Sequence, residues 1–494
     1  MKRADCWGCT SCRSPALQRE PSPNGREAAT EPIDAISRTN LGIDRRCQIG
    51  AAAPRRSPLV PAHVALLHVS HAGLAHLDTQ LLGGVSDHLT SLNPQVREIP
   101  NLTARKLAVA MALGMNIGLE NMANAVTRMS YKDLAWVADW YVREDTLRQA
   151  IVELVNFLTH LPLSQCWGDG TTSSSDGQLF GVQARTLYAR VNPHAPERGA
   201  SMNVYTHVAD NLSPFYSQLI ESTSGEAPYI LDGLLYHETD LRPREHYSDT
   251  KGYTDALFGL CHLLEFRFAP RLRDLSERRL FRMRRNLDEY PNIKSLFTAP
   301  INTRAVRRGW DDALRLAASV ESGVMTASRA LRKLSTHHPE SQLYKALREV
   351  GRIDKTLFLL SYISDLALRR RVLVGLNKGE SYHALARSLV IVLGDALRLR
   401  SIEDQVNQIT CLRLLATATI VWDAVYMERA VEVLRRANYE IGDAQISHIY
   451  PMMLEHLNLI GEYRFPVDGR ALTKLDALPL RSLDEAPSQL SLGL

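Results

Sequence analysis

Residues 166–180 read Cys-Trp-Gly-Asp-Gly-Thr-Thr-Ser-Ser-Ser-Asp-Gly-Gln-Leu-Phe. Small hydroxyl side chains and glycines crowd around two carboxylates, with too few apolar groups for the run to be buried for its own sake, and no ordinary helix or core strand needs such a composition. Flanking structure must therefore hold this backbone while Asp169 and Asp176 face something that wants oxygen ligands. Two more acids sit in similar polar, glycine-containing settings: Asp249 in His-Tyr-Ser-Asp-Thr-Lys-Gly and Glu380 in Leu-Asn-Lys-Gly-Glu. Carboxylates placed in this way point to a divalent-metal site.

Downstream of the run, Arg185 to Val191, Met202 to Val208, Glu245 to Asp249 and Phe266 to Phe268 have strand character. Ala227 to His237 and Tyr253 to Glu265 read as helices between them, and this alternation argues for a mixed or parallel sheet. From Leu272 to about Arg371 the pattern is almost wholly helical, over Trp310 to Glu321, Ala327 to Leu334, Gln342 to Val350 and Ile353 to Arg370. Glu380 falls just after Gly379, at the expected start of a helix through Leu385 and Val390. Ile409 to Arg436 and Ile446 to Leu459 supply two last helices. Upstream, Leu107, Met111, Met115, Ile117, Leu119, Met122 and Val126 are spaced for apolar helix faces, and Ser130 with Asp133 reads as the capped start of a helix to Tyr141.

The fold class expected is α/β (α+β), a mixed sheet flanked by helices. A helical segment over 63–160 precedes a core in two parts, 161–272 and 366–470, split by an all-helical insertion over 273–365. Residues 1–62, rich in Pro, Arg, Ser and Gly, read as a disordered or unrelated leader, and 471–494 as a tail.

Hydrophobic content of 45% and charged content of 23% are those of a globular protein in water. No uninterrupted apolar stretch reaches the ~18 residues of a membrane span, and no signal-peptide apolar region stands at the N-terminus, so an intracellular compartment is expected. Basic residues number 58 and acidic 54, a net charge of +4 that neither demands nor excludes nucleic acid. Arginines do cluster, at 267–285, at Arg304, Arg307 and Arg308, and at Arg369, Arg370 and Arg371. Their bland reading is solvated helix faces. Cys6, Cys9 and Cys12 form C-x-x-C-x-x-C with only the distant Cys47 as a fourth ligand, whereas Cys166, Cys261 and Cys411 read as buried thiols.

The acids have a layout that suits metal chemistry. Asp249 lies 249 − 176 = 73 positions after Asp176, and Glu380 lies 380 − 249 = 131 further on, mostly across helix. Asp176 and Asp249 are expected to end neighbouring strands, with Glu380 on a helix packed beside them. Their carboxylate oxygens should converge to within roughly 8 Å, so that metals about 4 Å apart could stabilise the attacking and leaving oxygens of a phosphoryl displacement. At ~100° per residue, Arg387 falls on the same helix face as Glu380, placed to hold a phosphate. Asp169 is either a support for the ligands or a loop carboxylate bonded to its own Ser/Thr run.

Several longer motifs point to a family. Trp-Gly-Asp-Gly-Thr-Thr-Ser-Ser-Ser-Asp-Gly-Gln at 167–178, Tyr-Thr-His-Val-Ala-Asp at 205–210, and Leu-Asp-Gly-Leu-Leu-Tyr-His-Glu at 231–238 come first. Phe-Arg-Phe-Ala-Pro-Arg-Leu-Arg-Asp-Leu at 266–275, Leu-Asn-Lys-Gly-Glu at 376–380 and Glu-His-Leu-Asn-Leu-Ile-Gly at 455–461 follow. In this order, from about Asn101 to Pro466, the chain resembles transposases of the Tn-three family of replicative transposons. The resemblance implies an RNase H-like core with a DDE triad on Asp176, Asp249 and Glu380, and Mg²⁺ or Mn²⁺ as cofactor. It implies DNA as partner, both transposon ends and target, cut and joined with water and then a 3′-hydroxyl as nucleophile. DNA contacts are expected at Lys378, Arg387, Arg282, Arg284 and Arg285. A homodimer on DNA, a cytoplasmic, nucleoid-associated setting and no membrane are implied as well.

Family members carry a large N-terminal half that recognises the terminal inverted repeats, and the sequence suggests that this half is missing, the leader standing in its place. The leading reading is thus a truncated transposase catalytic region. The rival is a catalytically incompetent DNA-binding remnant that associates with or inhibits a full-length transposase. A helical scaffold whose acids are surface charge would need Asp176, Asp249 and Glu380 far apart.

Overall fold

The hydroxyl-rich run is itself a central strand, where its composition argued against one. The computed structural model describes residues 79–93, 95, 99–182, 188–191, 199–250, 252–283, 291–390, 396–397, 401–453, 463 and 465. The leader with its four cysteines, the 471–494 tail, the 455–461 motif, Arg284 and Arg285 lie outside these residues.

The strands are β1 (Thr172–Val182), β2 (Arg190–Val191), β3 (Ala200–Ala209), β4 (Tyr216–Glu221), β5 (Glu245–Ser248), β6 (Arg267–Phe268), β7 (Leu280–Arg282), β8 (Phe297–Pro300) and β9 (Ala396–Leu397). The helices are α1 (Thr79–His88), α2 (Leu102–Gly114), α3 (Leu119–Ala125), α4 (Tyr131–Tyr141), α5 (Glu144–His160), α6 (Ile230–Leu235), α7 (Asp255–Leu263), α8 (Thr303–Glu321), α9 (Ala327–His337), α10 (Gln342–Ser364), α11 (Leu366–Val390), α12 (Ile402–Arg436) and α13 (Asp443–Ile446).

The main sheet is mixed, in the order β2-β3-β1-β5-β6, with β4 added to β3 and β9 to β1. β1 runs antiparallel to β3 along most of its length. Its other edge pairs in parallel with β5 over Thr172–Ser175 and with β9 over Gly181–Val182. Between those two partners, among the described residues, that edge of β1 has no ladder.

Helices cover the sheet and extend beyond it. α11 lies against β1, β3 and β5, while α12 packs on α2 and α5. By length and composition α12 could cross a membrane, but 94% of its most apolar window is buried inside the protein, so it is a core helix. Gly114 of α2 lets the two backbones meet, since a Cβ there would stand 2.9 Å from the Cys411 carbonyl oxygen. Met111, Met115, Met122 and Val126 are buried as their spacing predicts. Ser130 and Asp133 form the expected capping box: the Ser130 amide donates to Asp133 Oδ2 at 3.0 Å and the Asp133 amide to Ser130 Oγ at 3.3 Å. Cys261 and Cys411 are buried and Cys166 is half-buried.

Three differences from the sequence expectations have local causes. The helix read over Ile353 to Arg370 breaks at Asp365, whose Oδ1 accepts from the amides of Ala367 and Leu368 at 2.7 and 3.1 Å and so caps α11. Gln342 to Ser364 is one helix instead of two. The stretch after Leu272 is not wholly helical, because β7 and β8 pair in parallel there as a separate two-stranded sheet.

Candidate catalytic and metal centre

Strand alternation divides the serine run between two faces. Ser173 and Ser175 face a buried polar core, where Ser173 Oγ is 2.8 Å from Nδ1 of His246, and Ser175 Oγ is 2.7 Å from its Nε2 and 2.6 Å from the Tyr205 hydroxyl. Ser174, Asp176 and Gln178 face α11. Ser174 Oγ donates to the Gly375 carbonyl at 2.9 Å, and Gln178 Nε2 donates to the His383 carbonyl at 2.9 Å. The hydroxyls thus satisfy buried polar groups on one side and clamp a helix on the other, which is why the run is small and polar.

That clamp places Glu380. The expected helix start at Gly379 is not observed, because α11 passes through it and uses its glycines for close approach instead. A Cβ on Gly379 would stand 3.4 Å from Ser174 Oγ, and one on Gly375 would overlap the Tyr247 ring. Glu380 therefore lies deep within a 25-residue helix. One ligand atom each from Asp176, Glu380 and His383 lie within 4.8 Å of one another. Asp249 follows β5 directly, one residue beyond the Ser175↔Ser248 pair, so it and Asp176 leave the ladder at the same level. Asp176 stands in mid-strand, not at the strand end that the sequence suggested.

The local electrostatics suit a cation. Burial is the main cause that pushes the Asp176 carboxyl up to about 7; Glu226 adds to it, as do Glu380 and Asp249, and the Gly177 amide, 2.8 Å from Oδ1, works the other way. His383 is held down at about 4, first by burial and then by Arg387, so its imidazole is neutral at pH 7. Its Nδ1 lies 3.8 Å from Asp176 Oδ2. Carboxylate oxygens gathered at the cost of mutual repulsion, beside a neutral nitrogen donor, fit a divalent cation, which would replace the Asp176 proton and offset the repulsion.

The folded chain keeps a proton on Asp176 that the unfolded chain releases near pH 4, so this stabilisation is full below the ordinary carboxylate value and lost as pH rises through about 7. His207 and His237, buried and depressed to about 3 and 4, act with the opposite sign below their ordinary value, so the effect of Asp176 is read as a difference between two variants. With chelator present, the Tm of wild type should fall relative to Asp176→Asn between pH 5 and 8, and Mn²⁺ should reverse the trend. A difference that stays flat with pH would remove the proton from Asp176.

Other expected site residues are placed as follows. Asp169 accepts from the Thr171 amide at 3.0 Å and from its hydroxyl, so it shapes the turn into β1. Lys378 is not the DNA contact expected: its ammonium is buried and donates to the Trp167 and Asp210 carbonyls at 2.7 Å each. It ties α11 to the end of the β1–β3 pair where β1 begins and β3 stops. Arg387 is exposed, two turns beyond Glu380, and Arg282 is half-buried on β7. His383 and Glu226 were missed. His383 is legible in hindsight, at three residues from Glu380 on one helix face; Glu226 carries no local signal and reaches Asp176 only through the fold.

The candidate centre is thus an acidic cluster on a mixed sheet, completed from a flanking helix. The Tn3 transposase DDE domain family model matches residues 76–463. The chain is 41% identical to the transposase of transposon Tn1546 from Enterococcus faecium, over 78% of this chain and 40% of that protein. It is 40% identical to the transposase of Tn21 from Escherichia coli, over 94% of this chain and 46% of that protein, and 44% identical to that of Tn2501, also from Escherichia coli, over 72% and 36%. The chain belongs to the Tn3 transposase family, and its DDE domain implies a divalent metal. It spans less than half the length of these curated relatives.

Proposed function

We propose that the chain is a transposase catalytic region that cleaves transposon 3′ ends and transfers them to target DNA, on an RNase H-like core with Asp176, Asp249 and Glu380 as its catalytic triad. The observation that carries this reading is the meeting of Asp176 from β1 with Glu380 from α11 beside the end of β5, in a chain of this family. The three carboxylates would hold Mg²⁺ or Mn²⁺, which supplies charge stabilisation for the displaced and attacking oxygens. Asp176 would hold the ion as a carboxylate, its proton released to solvent. His383, neutral and packed beside it, keeps that carboxylate in place, and the α11–β1 clamp fixes the Glu380 backbone. Arg387 stands on the exposed face where a phosphate would lie, and Arg282, Arg284 and Arg285 are the further DNA contacts proposed from the sequence. DNA ends and target are the proposed partners, and a homodimer on DNA the proposed assembly. The inactive-remnant reading is not favoured, because the three acids are retained and Asp176 meets Glu380.

The test is nicking of supercoiled plasmid by the purified chain. Nicks should require Mn²⁺ or Mg²⁺, disappear in chelator and leave 3′-hydroxyl ends. Nicks that persist in chelator, or that leave 3′-phosphates, would contradict the reading.

A further inference from the structure

α9 presents one face to the core and another to solvent, and the second face is unusually one-sided in charge. Its sequence, Ala-Ser-Arg-Ala-Leu-Arg-Lys-Leu-Ser-Thr-His, contains no acid. Ala327, Ala330, Leu331 and Leu334 are buried, while Arg329, Arg332, Lys333 and His337 are exposed. Arg329, Lys333 and His337 are spaced i, i+4, i+8 and so form one stripe along the helix. These side chains line an open groove of about 840 Å³ between α9 and the end of α8, and no carboxylate lines it. Arg315 and Lys345 elsewhere in the insertion are paired, with Asp312 at 3.0 Å and Glu340 at 2.7 Å. Among the described residues no acid pairs with Arg329, Arg332 or Lys333. Uncompensated basic side chains flanked by hydroxyls, Ser319 and Thr336 among them, suit a row of phosphates.

The groove is fixed to the segment that follows Glu226. The Ser328 amide donates to Asp232 Oδ1 at 3.1 Å, the Tyr236 hydroxyl to the Val320 carbonyl at 2.6 Å, and Arg332 Nη1 to the Tyr229 hydroxyl at 2.8 Å. Tyr229 closes the short turn Ala227–Tyr229, and Glu226 immediately before it leans on the β1 backbone beside Asp176, where a Cβ on Gly177 would overlap its Oε1. Three residues of chain thus separate a group at the catalytic centre from a group that holds the groove.

We propose that the α9 groove binds the phosphate backbone of duplex DNA, carrying the flank of the DNA that reaches Asp176 and Glu380. This rests on the functional reading above and adds a surface to it. The sequence clusters that suggested DNA contacts did not include these residues.

The test is binding of a labelled random duplex by the purified chain, followed by fluorescence anisotropy at several salt concentrations. Each phosphate contact contributes about one unit to the slope of log affinity against log salt, and so close to tenfold at ~0.1 M salt. Arg329→Ala with Lys333→Ala should lower the slope by up to ~2 and weaken binding by tens of fold at ~0.1 M salt. The swap Arg329→Lys with Lys333→Arg should retain the wild-type slope. The equal charge loss of Arg315→Ala with Lys345→Ala should leave the slope within about half a unit. A wild-type slope in the Arg329/Lys333 double alanine variant, or the same loss in the control pair, would overturn the groove while leaving the transposase reading intact. Failure of wild type to bind duplex DNA at all would overturn that reading instead.

Discussion

Asp176→Asn should abolish metal-dependent nicking, with a loss of at least ~10³-fold, while duplex binding stays within about twofold of wild type. The amide keeps the shape of the carboxylate and its contact with the Gly177 amide, but it carries no charge to retain a cation among Glu380, Asp249 and Glu226. Because Asp176 is uncharged below about pH 7 without metal, the substitution should not destabilise the chelated protein at pH 6. Asp169→Asn is the matched control. Its contacts with Thr171 lie within one turn and an amide oxygen can still accept them, so its activity should remain within about tenfold. Equal losses in the two variants would mean that the first ligand has been misassigned.

Gly351→Ala should cost about 3 kcal/mol or more, the largest stability loss expected from adding one methyl group to this chain. Gly351 of α10 and Gly259 of α7 meet where the two helices cross, and a Cβ on Gly351 would overlap the Asp255 carbonyl oxygen, while one on Gly259 would overlap that of Leu347. Backbone cannot rotate away as a side chain can, so the helices must separate. Separation would also strain the ion pairs from Arg352 and Lys355 to Asp255, at 3.1 and 2.9 Å, that seal the same crossing. Urea unfolding followed by circular dichroism reads the loss, and a cost below about 1 kcal/mol would show that the crossing is looser than described.

The mixed sheet was legible in the sequence, and the acids were legible through different signals. Asp249 was legible because a short β-rich segment ends on it, and the structure ends β5 one residue before it. Glu380 was legible as a residue but not in its setting. Glycine before an acid reads as a helix start, whereas here Gly375 and Gly379 serve a close approach to Tyr247 and Ser174 that only the folded neighbour reveals. The serine run was misread for a related reason. Its composition lacks apolar bulk because its partners are His246, Tyr205 and the α11 backbone, polar groups brought in from 30 to 200 residues away. Lys378 shows the same limit from the other side: a lysine beside a candidate catalytic acid looks like a phosphate contact until two carbonyls are found around it. Asp365 was a local signal that was available, since an Asp two and three residues ahead of free amides caps a helix wherever the chain allows it.

The central claim is that Asp176, Asp249 and Glu380 form one metal-holding centre, and anomalous scattering from crystals of the chain soaked in Mn²⁺ addresses it without recourse to activity. The account predicts a Mn²⁺ peak between Asp176 and Glu380 at coordination distance from a carboxylate oxygen of each, with Asp249 in reach and the peak lost in Asp176→Asn crystals. A peak that lies elsewhere, or one that survives the substitution unchanged, would contradict it.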